Sequence, residues 1–134
     1  MIKKFDHTAI TVSDLDKSIE FYRDILGCKI MGMIDNENSK YIYLDAGGAV
    51  IELFYFDKKG KPLKESSNED IGIKHLAFKV DDVDEIVDKL RQENVEIEVE
   101  PLETDGVKLA FFKDPDGILL EVIEGEVNLK PYKT

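Results

Sequence analysis

Phe5-Asp6-His7-Thr8-Ala9-Ile10-Thr11-Val12 lies near the start of the chain, and Ile73-Lys74-His75-Leu76-Ala77-Phe78-Lys79-Val80 repeats its pattern in the second half. These stretches hold the only two histidines among 134 residues. Aligning residues 7–19 with 75–87 gives five identities in 13: His7/His75, Ala9/Ala77, Val12/Val80, Asp14/Asp82 and Asp16/Asp84. At an offset one residue larger, Asp45 and Gly48 match Asp114 and Gly117, and Glu52 matches Glu121. A repeat of this kind implies one supersecondary unit made twice. Each copy alone leaves a sheet face uncovered, so the two halves are expected to close on each other.

Working outward from the two stretches predicts the rest of each half. Residues 5–12 form a strand, with Thr8, Ile10 and Val12 on one face and Phe5, His7, Ala9 and Thr11 on the other. Ser13 or Asp14 caps a helix whose apolar stripe is Leu15, Ile19, Tyr22 and Leu26, with Gly27 as the residue that ends it. Strands follow at about 28–35, 40–45 and 49–56. Residues 57–72 are polar, hold Gly, Pro and Ser, and read as a linker. It is long enough for the halves to pair within one chain or to exchange between two. The second half then runs strand 73–80, a helix capped by Asp81 or Asp82 with Val83, Ile86, Val87 and Leu90 inward, and Asn94 at its end. Strands at about 95–100, 107–112 and 118–124 complete it, the last after the turn Asp114-Pro115-Asp116-Gly117. The expected fold is α+β, two tandem βαβββ modules forming a cupped eight-stranded sheet. Module one covers about 5–56, module two about 73–124, and 125–134 is a polar tail, all in one domain spanning 1–134.

Composition narrows the function classes. An apolar share of 43% with 35% charged residues fits a globular chain. The formal net charge of −11 argues against nucleic acid, whose electrostatic footprint is a basic face. Cys28 is alone, so no intrachain disulfide forms, which fits a cytoplasmic protein, and it has no visible activating partner. The first seven residues carry no signal-like apolar run, and no stretch approaches the roughly 20 apolar residues of a membrane span.

Strand alternation picks out a candidate site. Val50, Glu52, Phe54 and Phe56 share one face of a strand, as do Leu119, Glu121 and Ile123 of its counterpart. Each carboxylate therefore has apolar neighbours, where an isolated charge takes up a proton or finds a cation. With the helices covering the opposite faces, His7, Glu52, His75 and Glu121 all fall on inner faces. Two imidazoles and two carboxylates suit one first-row divalent ion such as Ni, Co, Zn, Mn or Fe. The absence of thiolate weakens a closed structural zinc site. Four protein ligands on a six-coordinate ion leave two positions for water or a chelating substrate. Around them, Thr11, Phe54, Phe56, Lys79, Leu119 and Ile123 are candidates for a substrate pocket. Lys79 is read either as an anion contact or as a rim lysine, and the apolar residues as a pocket or as core. The orientation of Tyr41 and Tyr43 is left open.

The chain resembles the vicinal oxygen chelate superfamily, the glyoxalase I and bleomycin-resistance fold, over about residues 5–124. The resemblance is carried by Asp6-His7-Thr8-Ala9-Ile10, by residues 18–27, by Ile51-Glu52-Leu53, by His75-Leu76-Ala77-Phe78, and by Asp114-Pro115-Asp116-Gly117 running to Leu120-Glu121. It implies a small-molecule substrate and usually a homodimer. The His, Glu, His, Glu set is most similar to that of glyoxalase I, a lactoylglutathione lyase. By that resemblance an ion binds both oxygens of an α-hydroxycarbonyl (thiohemiacetal-like) adduct and stabilises an enediolate. Glu121 is then the first choice of base, with Glu52 its partner on the opposite face. Three alternatives stay open within the superfamily: an epimerase of methylmalonyl-CoA type, a non-enzymatic antibiotic or metabolite binder, and an extradiol-type dioxygenase. The chain departs from the glutathione-using bacterial enzymes at two places. Their Arg four residues after the first His is Thr11 here, and their Asn four residues after the ligand Glu is Phe56.

Overall fold

The computed structural model describes residues 1–133, so Thr134 of the expected tail lies outside the described residues. The chain divides into two units, Met1–Leu63 and Lys64–Thr134, with the boundary inside the expected linker.

The first unit runs β1 (His7–Thr11), α1 (Leu15–Ile19), a π-helical continuation (Glu20–Ile25), β2 (Lys29–Asp35), β3 (Ser39–Asp45) and β4 (Val50–Phe56). Its sheet has the order β1-β4-β3-β2, with β1 parallel to β4 and the other neighbours antiparallel. The second unit repeats this as β5 (Leu76–Lys79), α2 (Val83–Gln92), β6 (Ile97–Thr104), β7 (Val107–Lys113) and β8 (Leu119–Gly125), in the order β5-β8-β7-β6. Both expected βαβββ modules are therefore present, each as a four-stranded sheet with its helix.

Strand periodicity separates two faces in each sheet. Register sets Ile10 beside Leu53, Ile42 opposite Leu53 and Leu44 opposite Ile51, and all are buried. Its counterpart sets Ala110 opposite Val122 and Phe112 opposite Leu120, again all buried. Here α2 lies over β6, β7 and β8 and inserts Val83, Val87 and Leu90, as its stripe predicts. Such fully buried aliphatic side chains contribute roughly 1.5–3 kcal/mol each. The alternate face is left for the polar candidates.

The caps follow the expectation. The Asp14 carboxylate accepts from the Lys17 amide and that of Asp82 from the Glu85 amide, satisfying amides that a helix start leaves open. Gly27 and Asn94 end the two helices with φ of +81° and +61°.

Three expectations need correcting. The first helix buries Ser18, Phe21 and Tyr22, whereas Leu15, Ile19 and Leu26 of the predicted stripe are only half buried. The reason is one extra residue between its cap and its left-handed end, compared with α2. The segment absorbs it by widening: the Leu26 amide donates to the Phe21 carbonyl five residues back, at 3.0 Å. This turns the later side chains off a 3.6-residue stripe. Strand β5 starts at Leu76 rather than 73, so His75 stands just before it. Strand β6 continues through Pro101 to Thr104, beyond the expected 100. Proline is tolerated because β6 is an edge strand, and the register slips between Val99 and Leu102 around it.

Candidate functional site

In the first unit, β1 and β4 run parallel with Ala9 beside Glu52, which brings the His7 ring over the Glu52 carboxylate. His7 Nε2 lies 3.3 Å from Glu52 Oε1. In the second unit, Ala77 stands beside Glu121, and His75 Nε2 lies 3.4 Å from Glu121 Oε1. Both carboxylates are buried, at 5% and 8% exposure, while both imidazoles stay partly open. The repeated spacing thus becomes the same His–Glu pair built twice. Among the described residues no three or more His, Cys, Asp and Glu side chains gather as one group, so each unit offers two donors.

The donor chemistry of each pair fits a divalent ion. Two donors about 2.1 Å from one ion stand about 3.0 Å apart at a right angle and about 3.4 Å apart at the tetrahedral angle. The observed 3.3 and 3.4 Å fall in that range. His7 adds a second argument. Its Nδ1 is 2.7 Å from Asp6 Oδ2, and an ionised carboxylate can only accept, so the proton of a neutral ring sits on Nδ1. A neutral ring with its proton on Nδ1, the nitrogen with the shorter carboxylate contact, turns an Nε2 lone pair toward Glu52 Oε1, the arrangement a bound cation requires. The bond from His7 also holds the Asp6 carboxyl below its ordinary range.

Glu52 has a further partner, which the sequence left open. Register places Tyr43 directly opposite it. Interaction with the Glu52 carboxylate, with burial and the nearby negative charge, pushes the Tyr43 phenol above its ordinary value. The Tyr43 ring also meets His7 edge-on, at 6.2 Å between centroids. In the second unit Phe111 stands opposite Glu121 and meets His75 edge-on at 5.2 Å. The two half-sites are therefore alike in framework and different in donors. Asp6 and Tyr43 are the residues that sequence reasoning missed. Asp6 was visible as the carboxylate beside His7, but Tyr43 needed the β3–β4 register.

The pocket candidates divide between the units. Phe54 and Phe56 share the Glu52 face and pack with Tyr41, with centroids 4.9 Å apart for Tyr41–Phe54 and 6.0 Å for the other two pairs. Thr11 is exposed at the end of β1, beside Phe54. Leu119 and Ile123 flank Glu121 along β8 and are half buried. Lys79 is committed elsewhere: its ammonium donates to the Gly125 carbonyl and lies 3.4 Å from Glu126 Oε1.

A βαβββ module made twice, each bearing one His–Glu pair, defines the class. Residues 4–122 match the Glyoxalase/Bleomycin resistance protein/Dioxygenase superfamily, and the chain belongs to it. It is 37% identical over 130 residues to the uncharacterized protein YwkD of Bacillus subtilis, covering 92% of this chain and 98% of that one. It is 36% identical over 132 residues to a probable lactoylglutathione lyase of Vibrio parahaemolyticus, covering 90% and 89%. The trypanothione-dependent glyoxalase I of Leishmania major superposes with a TM-score of 0.75 at 31% identity, over 92% of this chain and 87% of that one. No helix among the described residues is long and apolar enough to cross a membrane.

Proposed function

We propose that this chain is a metal-dependent lyase of the glyoxalase I type, acting on an α-hydroxycarbonyl adduct of a thiol. The observation that carries the reading is the twofold His–Glu pair, with donors 3.3 and 3.4 Å apart and both carboxylates buried on otherwise apolar faces. His7 with Glu52, and His75 with Glu121, are the proposed ligands for a divalent ion. When bound, the ion supplies Lewis-acid stabilisation of the charge that develops on the substrate oxygens. Glu121 takes the proton from the carbon next to the carbonyl and returns it to the adjacent carbon. Glu52 stands as its partner on the opposite face. Leu119 and Ile123 beside Glu121, like Phe54 beside Glu52, keep water from each carboxylate, which strengthens the local electrostatics.

The thiol portion is read from two positions. Thr11 and Phe56 place no cation and no amide where glutathione-using relatives carry them, and Phe56 is packed among rings. We therefore expect better turnover of a thiol adduct without glutathione's carboxylate at that position. A homodimeric, cytoplasmic protein completes the reading. The test is metal analysis of the native protein together with an assay of methylglyoxal adducts of several thiols. Glu121→Gln should lower kcat by about 10²–10⁴-fold while the protein stays folded. Wild-type turnover in a folded Glu121→Gln variant would remove the assigned base, and a native protein without metal would remove the reading.

A further inference from the structure

Each sheet has one long outer strand, β2 of seven residues and β6 of eight. An outer strand presents unpaired amides and carbonyls, which proteins blunt with charge, proline or bulges. Strand β6 carries Glu98, Glu100 and Glu103, with Pro101 among them, so a strand laid along it meets negative charge and a missing amide. Strand β2, Lys29-Ile30-Met31-Gly32-Met33-Ile34-Asp35, has no charge between its ends and no proline, only a bulge between Ile30 and Gly32. All seven residues are exposed, and Ile30, Met31, Met33 and Ile34 keep 44–60% of their surface open. The strand also reads alike from either end. About Gly32, Met31 mirrors Met33 and Ile30 mirrors Ile34, while Lys29 mirrors Asp35 with the opposite charge.

We propose that β2 is an interface for a second copy of this chain, each β2 pairing antiparallel with the other across a two-fold axis at Gly32. A two-fold interface brings the same patch of both copies together, so the patch must be complementary to itself. In this register Met31 meets Met33 and Ile30 meets Ile34 of the second copy, and Lys29 meets Asp35 at both ends. A parallel pairing in register would instead set Lys29 on Lys29 and Asp35 on Asp35, and like charges directly opposite are unfavourable. At the axis the space is open: a Cβ built on Gly32 meets no atom within 4 Å, and two backbones can close on each other there. Asp35 is paired with Lys40 of its own unit at 2.6 Å, and its carboxylate has acceptor sites for a second cation. The bulge bends the strand at its start, and pairing with β3 is regular again from Gly32 to Asp35. Strand β3 lies between β2 and β4, so this surface is separate from the His7–Glu52 pair and the inference does not rest on the metal-dependent reading.

The test reverses the end charges one at a time and then recombines them. Self-association of the full chain is measured by sedimentation equilibrium at low ionic strength for wild type, Lys29→Glu and Asp35→Lys. In each variant alone, both attractive ends of the pair become repulsive, and association should weaken about 10-fold or more. In an equimolar mixture, the Lys29→Glu chain meets the Asp35→Lys chain with opposite charges at both ends, and association should return to the wild-type level. A merely structural effect of either substitution would not be repaired by mixing. Each variant's fold is checked by circular dichroism. If Asp35→Lys fails to fold beside Lys40, Met33→Lys takes its place, setting an ammonium against Met31 of the second copy, and should weaken association as Lys29→Glu does. A wild-type chain that does not self-associate overturns the proposal, as do folded variants that associate like wild type or a mixture that fails to recover. These measurements read mass and not metal, so their failure leaves the metal-dependent reading standing, and a metal-free protein leaves this interface standing.

Discussion

Replacing Glu52 by Gln should remove most of the stabilisation that a divalent ion gives the protein, while barely changing the metal-free protein. The introduced amide would keep the shape of the side chain and still present an acceptor oxygen on the strand opposite Tyr43. A hydrogen bond to a charged acceptor contributes about 1.5–3 kcal/mol and one to a neutral acceptor about 0.5–1.5. Roughly 1 kcal/mol is thus lost, and removing a charge from a position only 5% exposed offsets part of it. The metal-loaded state behaves differently. Free ion at 100 times its Kd stabilises the wild type by about 2.7 kcal/mol. For a chain of this length that is a rise of roughly 8–13 °C in the melting midpoint. Loss of a carboxylate donor should weaken the ion at least as much as the roughly 100-fold upper effect of losing an outer partner. At the same free metal the variant then gains only about 0.4 kcal/mol, or some 1–2 °C. The assay is differential scanning calorimetry of both proteins with and without Zn(II) or Co(II), at fixed free metal. An equal metal-induced rise in wild type and Glu52→Gln would refute the assignment of Glu52 as a ligand.

Other outcomes follow from the packing and the caps. Leu53 has no exposed surface and stands between Ile10 and Ile42, so Leu53→Ala should cost about 2–5 kcal/mol by chemical denaturation. Asp82→Ala removes the acceptor for the Glu85 amide and should cost about 1 kcal/mol; Glu124, which accepts from the Val83 amide at 2.9 Å, still caps the first turn. Burial, with Asp45 adding to it, pushes the Cys28 thiol above its ordinary value, which lowers the thiolate fraction near pH 8. Iodoacetamide labelling of Cys28 at that pH should therefore be slow in the folded protein and fast in denaturant, the contrast shrinking as pH rises; rapid native labelling would contradict the burial.

Much of the fold could be read from local pattern. The period-2 alternation around His7, Glu52, His75 and Glu121 assigned each to a face, because successive strand side chains point opposite ways whatever the partner strand is. Asp14, Asp82, Gly27 and Asn94 marked helix ends because capping depends on a few neighbouring residues. The first helix was misread where one additional residue changed its hydrogen bonding from four back to five, and hydrophobic periodicity assumes the former. The end of β6 was misread because Pro101 looks like a stop signal, yet an edge strand needs no amide on its outer side.

The sequence by itself determined the repeat, the two His–Glu pairs and the faces they occupy, since these are properties of spacing along a strand. Tertiary structure decided what touches each pair. Parallel pairing of β1 with β4 and of β5 with β8 brought each ring within 3.4 Å of its carboxylate. The β3–β4 register set a tyrosine opposite Glu52, while the β7–β8 register set a phenylalanine opposite Glu121. Cross-strand neighbours depend on where two distant segments stop sliding past one another, and a slip of one residue would turn Tyr43 away. The repeat made the two halves alike, and the contacts across their strands made them chemically unequal.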